Sequence, residues 1–108
     1  MPSSTLGRGN ILYDFLIGPT LTPVSVAANT SAEQSFTIKG LLVGDCPDIN
    51  FNGAQTAGIG IVNVRVSAVD TLTVMFVNDT SGGLTPAAGQ YFLNIARPEN
   101  LPLPTNAV

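Results

Sequence analysis

Side chains able to do chemistry are few and scattered in this chain. None of its 108 residues is a histidine, which removes the commonest general base and the commonest metal ligand. A serine nucleophile would need some other partner. Lys39, the only lysine, stands at a polar position of an alternating stretch and reads as a surface charge, not as a catalytic amine. Asp45 and Asp48 are close in sequence, yet paired acids cleave glycosidic bonds only when they face each other across a cleft. They read instead as turn residues that accept backbone hydrogen bonds. Asp48-Ile49-Asn50-Phe51-Asn52-Gly53 opens like a calcium loop of the D-x-N-x-N-G kind. Position twelve of that loop is Ile59, where a bidentate glutamate belongs, and no entering helix is readable, so Asn52-Gly53 reads as a turn. Cys46 sits between Asp45 and Pro47; an acid beside it disfavours the thiolate, and a buried structural cysteine is expected. These residues give no catalytic, cofactor-binding or metal-binding constellation and no small-molecule substrate.

Composition narrows the class further. One cysteine excludes an intramolecular disulfide and a thiolate metal cluster, and a single domain of this length buries roughly two-thirds of its unfolded surface without staples. Only 10% of residues are charged while 44% are hydrophobic. A surface so poor in charge suits a chain partly covered by a partner, since charge is depleted at the centres of interfaces. The competing reading is a robust monomer with a Thr/Asn-rich sheet face. The net charge is −3 and Arg8, Lys39, Arg65 and Arg97 are dispersed, which leaves no basic stripe for nucleic acid. No apolar run approaches a membrane-spanning helix, and MPSSTLGRGN lacks a basic start followed by an apolar core, so a soluble, unexported chain is expected. For that reason the acceptor triplets Asn29-Thr30-Ser31 and Asn78-Asp79-Thr80 carry no weight as glycosylation sites.

The elements that position these residues are strands. From Gly58 to Asn78, Val62, Val64 and Val66 alternate with Asn63, Arg65 and Ser67; Leu72, Val74 and Phe76 then alternate with Thr71, Thr73, Met75 and Val77. A period of two on both sides of Ala68-Val69-Asp70 predicts a hairpin with one apolar face, and β-branched residues reinforce it. The spacing predicts further strands over residues 34–39, 46–51 and 90–96, and an edge strand over 21–28 that contains Pro23. On the last of the 34–96 strands Tyr91, Leu93 and Ile95 form the buried face, and Phe92 on the opposite side predicts cover on both faces. Gly40 and Gly44 bracket Leu41-Leu42-Val43, which reads as a packed segment between sharp changes of direction. Loops are expected over 53–60 and 79–89. Ile11, Leu12, Tyr13, Phe15, Leu16 and Ile17 form an apolar run interrupted by Asp14, too dense to be left in water. It reads as a first strand, as an arm that packs on a neighbouring chain, or as both if the strand is exchanged between subunits; these six residues are the candidate interface.

The expected fold is all-β, an antiparallel sandwich or small barrel of six to seven short strands with extended terminal arms. Its divisions are a partly apolar arm over 1–20, a sandwich over 21–97 and an extended Pro-rich tail over 98–108.

Three stretches carry a resemblance: Phe36-Thr37-Ile38-Lys39-Gly40-Leu41-Leu42-Val43-Gly44-Asp45, the run from Ala57 to Ala68, and the run from Asp70 to Thr80 followed by Thr85-Pro86-Ala87-Ala88-Gly89. Together they resemble small β-domains among the virion structural proteins of tailed bacteriophages, most of all capsid decoration, or cement, proteins. The resemblance covers about residues 24–96. It implies a non-enzymatic homotrimer on the outer capsid surface of the virion, made in the host cytoplasm, partnered by the major capsid protein of the shell. On that reading, removing residues 1–18 should leave a folded domain that no longer binds shells. The alternative is a receptor- or glycan-binding module of a tail or fibre. Such a module wants exposed aromatics over a groove, and the chain has no tryptophan.

Overall fold

In a computed structural model that describes residues 11–99, the central hairpin consists of β5 (Ile59–Ala68) and β6 (Thr71–Asn78). Leu72, Val74 and Phe76 are fully buried and Val66 nearly so. Val62 departs from the expected inward face and is 58% exposed. Ile61 pairs with Phe76 and Asn63 with Met75, so Val62 is the extra residue of a bulge and Ile61 takes its place against the core. At the tip, Asp70 adopts φ 58°, a left-handed conformation that a short polar side chain tolerates. Its Oδ1 accepts from Gly40 N at 2.8 Å, and its backbone N donates to Leu41 O at 2.9 Å, which ties the hairpin to the segment after β3.

β3 (Thr30–Thr37) pairs with the other side of β6 to complete a three-stranded sheet, β3-β6-β5. The second sheet is built on β7 (Gly89–Pro98). β4 (Cys46–Phe51) lies along one side of it; β1 (Ile11–Ile17) and, past Gly18-Pro19, β2 (Thr20–Leu21) lie along the other. Tyr91 N donates to Pro19 O between them. All pairings are antiparallel, and no helix occurs among the described residues. The two sheets face each other across Leu72, Val74 and Phe76 on one side and Tyr91, Leu93 and Ile95 on the other, all fully buried. The described residues form an all-β, sandwich-like arrangement of seven strands.

Several local expectations change. Residues 22–29 form no continuous ladder; Val26 makes one isolated bridge to Leu84. In place of a neighbouring strand, the Gln34 carboxamide holds Val24, accepting from its N at 2.8 Å and donating to its O at 2.7 Å. Of Leu41-Leu42-Val43 only Leu41 is buried, because Gly40 and Gly44, at φ 99° and 102°, turn the segment so that Leu42 and Val43 face outward. Phe92 is half-buried on a face whose neighbours Gln90 and Asn94 are exposed, so β7 is flanked on both edges but covered on one face only. The stretch 11–17 is a strand paired within its own chain, and β7 extends to Pro98. Residues 100–108 of the tail expected from residue 98, and the first ten residues of the expected arm, lie outside the described residues.

Candidate interaction surface

The register of β1 on β7 decides which of its residues are hidden. Tyr13, Phe15 and Ile17 stand opposite Arg97, Ile95 and Leu93, on the inward face of the sheet. Phe15 and Ile17 pack against the core there. Tyr13 lies beyond the end of the core and is 57% exposed. Asp14 and Leu16 point away from the core, and Leu16 is 67% exposed. A register shift between Ile11 and Tyr13 leaves Ile11 and Leu12 half in solvent. Of the six candidate interface residues, therefore, two anchor the strand and four, Ile11, Leu12, Tyr13 and Leu16, leave apolar side chains accessible to solvent.

Leu12 continues into a second exposed group. With Leu42 and Val43 it lines a shallow groove of about 500 Å³ whose other walls are Gly44, Asp45, Arg97, Pro98 and Glu99. The floor is fixed by an ion pair that local sequence reasoning missed. Arg97 Nε donates to Asp45 Oδ1 and its Nη2 to Asp45 Oδ2, each at 2.8 Å, while Nη2 also donates to Gly40 O at 2.7 Å. Asp45 Oδ2 accepts from Leu42 N at 3.0 Å as well. The Arg97 hydrogen bonds hold the Asp45 carboxyl below the usual carboxylate range against the opposing effect of burial, with the Leu42 N–H adding to the lowering. The guanidinium also lies 5.6 Å from the Phe15 ring centre and 6.0 Å from that of Tyr13, within cation–π range. One arginine thus locks the end of β7, the 40–45 turn and β1 into a single rigid rim under the exposed Leu12, Leu42 and Val43.

The other residues considered for chemistry are dispersed. Asp48 accepts from Ile49 N and makes no pair with Asp45. Asp48 and Asn50 alternate on the outward side of β4, opposite Asn94 and Phe92. Cys46 is exposed, contrary to expectation, because strand parity sets it opposite Ala96 on the outer face. Lys39 is exposed at the end of the alternating stretch. Glu33 and Arg65 meet across the outer face of the other sheet at 2.9 Å, and the guanidinium hydrogen bonds lower the Glu33 carboxyl from its ordinary value. Beside them Thr73 shares hydroxyl contacts with Ser35 and Ser67.

Sequence reasoning also missed Asn78, which is fully buried. Its Nδ2 donates to Val26 O and Gly82 O, and its Oδ1 accepts from Thr80 N and Thr80 Oγ1. The second acceptor triplet for glycosylation is therefore concealed, whereas Asn29 is exposed. Tyr91, also fully buried, donates from Oη to Ala87 O and accepts from Gln55 Nε2. Both clusters anchor loops. No family model, curated protein or solved structure matches the chain.

Proposed function

We propose that this chain is a structural protein of a bacteriophage head that binds the outer surface of the capsid and stabilises the shell, a decoration or cement protein without enzymatic activity. The observation that carries the reading is the apolar rim: Leu12, Leu42 and Val43, each about half exposed or more, set on a groove whose geometry the part-buried Asp45–Arg97 pair fixes. Large apolar side chains held open on a rigid frame are suited to burial against another protein. Charges are few in the chain as a whole, and in this groove Asp45 and Arg97 are already paired with each other, which lowers the cost of desolvating them when the surface docks. The resemblance of residues 24–96 to phage virion domains supplies the partner, the major capsid protein, and the location on the virion exterior. The work is mechanical, with apolar area buried across the boundaries between shell subunits.

Substitution is a better test than truncation, because Phe15 and Ile17 belong to the core and removing residues 1–18 would uncover Leu93 and Ile95. Leu12→Asp with Val43→Asp leaves those contacts intact. The double variant should fold with an unchanged urea midpoint and fail to co-sediment with undecorated shells. Co-sedimentation equal to that of the unaltered chain overturns the docking surface, and specific saccharide binding by the isolated chain would support a tail or fibre module instead.

A further inference from the structure

An edge strand offers unpaired N–H and C=O groups to any other strand, and folded proteins blunt such edges with proline, charge, bulges or short length. Among the described residues the other edges carry these devices. β4 has Pro47 and Asp48, β5 is bulged at Val62 and again between Val66 and Ala68, and β2 is two residues long and followed closely by Pro23. β3 has the adjoining segment held by the Gln34 carboxamide. β1 carries less: a register shift at its start, between Ile11 and Tyr13, and one outward carboxylate, Asp14, but from Tyr13 to Ile17 it is regular, has no proline and no lysine, and is paired with β7 alone.

We propose that β1 pairs antiparallel with β1 of a second copy of this chain, which fuses two sheets into one across a two-fold axis. The register follows from the strand itself. Its pairing with β7 runs without a shift from Tyr13 to Ile17, and the midpoint of that regular segment is Phe15. A two-fold axis at Phe15 sets Phe15 against Phe15 of the second copy, Tyr13 against Ile17, and Asp14 against Leu16. Aromatic and β-branched side chains then meet on the inward face, and no like charges stand directly opposite. An axis at Asp14 would oppose two carboxylates, and it would draw the bulged Leu12 into the ladder. Self-complementarity of this kind is what a two-fold interface requires, and it closes after two copies where the resemblance implies three. The exposed side chains of one strand from each copy bury less than the roughly 1,200 Å² at which stable interfaces begin, so the backbone ladder must contribute and the dimer should dissociate in the micromolar range.

The ladder spans Tyr13–Ile17 and uses neither Leu42 nor Val43, and the substitutions at Leu16 leave all three rim residues unchanged, so the two proposals are tested separately. Sedimentation equilibrium of the whole chain, from about 1 to about 500 μM to bracket that range, should give a reversible monomer–dimer equilibrium. Leu16 is 67% exposed, so its substitution leaves the fold in place, which the urea midpoint checks. Leu16→Asp puts a carboxylate opposite Asp14 of the second copy and should raise Kd tenfold or more. Leu16→Lys puts an ammonium there and should change Kd less than threefold. A chain monomeric at the highest concentration, a trimer, or equal weakening by both substitutions overturns the proposal; a monomer whose Leu16 variants lose shell binding assigns this edge to the shell instead.

Discussion

Replacing Asn78 tests how the loop after the central hairpin is held. The side chain is fully buried and makes four hydrogen bonds, two as donor and two as acceptor. In Asn78→Ala not all four partners are orphaned. Val26 O still accepts from Leu84 N at 3.1 Å, and Gly82 O still accepts from Thr80 Oγ1 at 2.9 Å. The Thr80 hydroxyl has a single proton, so it retains a full bond through Gly82. Only Thr80 N loses its partner outright. A buried donor left unmatched costs about 1–3 kcal/mol, and each satisfied bond that is lost about 1 kcal/mol, so the expected loss is roughly 2–4 kcal/mol. Asn78→Asp keeps the acceptor but turns carboxylate oxygen toward Val26 O and Gly82 O. No described arginine or lysine is hydrogen-bonded to this buried cluster, so burial should raise the pKa of the introduced carboxyl in the folded state. Its penalty should therefore exceed that of alanine at pH 7 and shrink as pH falls and the group is protonated. Urea unfolding of the three proteins at pH 7 and pH 4, with equal m values, measures both effects. A loss under about 1 kcal/mol for alanine, or an aspartate variant more stable than the alanine variant at pH 7, would refute the reasoning.

Other consequences concern the frame around the rim. The folded-state pKa of Asp45 is lowered, so its contribution is fully present above the ordinary carboxylate value near 4 and is lost as pH falls through the lower folded value. Asp45→Asn should reduce stability at pH 7, and its deficit relative to the unaltered chain should narrow in urea titrations below pH 4. Gly58 has φ 90°, and a Cβ there would collide with the Thr80 side chain; Gly58→Ala should cost about 1–3 kcal/mol by the same assay. Cys46, being exposed, should react fully with a maleimide under native conditions and leave the melting temperature unchanged. Leu93→Ala, at a fully buried centre of β7, should cost about 3 kcal/mol.

The strands that carry the core were legible because a period of two survives wherever pairing is regular. β6 and β7 are the clearest, with Leu72, Val74, Phe76, Tyr91, Leu93 and Ile95 all buried as their alternation predicts. Alternation failed where the ladder is irregular. The bulge at Val62 shifts the phase of β5, and nothing in the run of β-branched residues marks which one is extra. Residues 21–28 alternate as a strand would, yet Pro23 and the Gln34 carboxamide leave a held segment without a ladder. The exposure of Leu42 and Val43 depends on the backbone angles at Gly40 and Gly44, which sequence locates but does not orient. The polar anchors were hidden for another reason: Arg97, which fixes the candidate site, meets Asp45 across 52 positions of sequence, and Asn78, which holds the loop after the hairpin, reads locally as the last residue of the hairpin stretch. Long-range polar pairings leave no local periodicity to detect.

The proposed function stands most directly on how many copies of the chain a virion carries. Quantitative mass spectrometry of purified particles, scaled to the major capsid protein, should find this chain in a fixed, large and symmetry-related ratio to the shell subunit. A handful of copies per particle, or none, would contradict a role on the head surface.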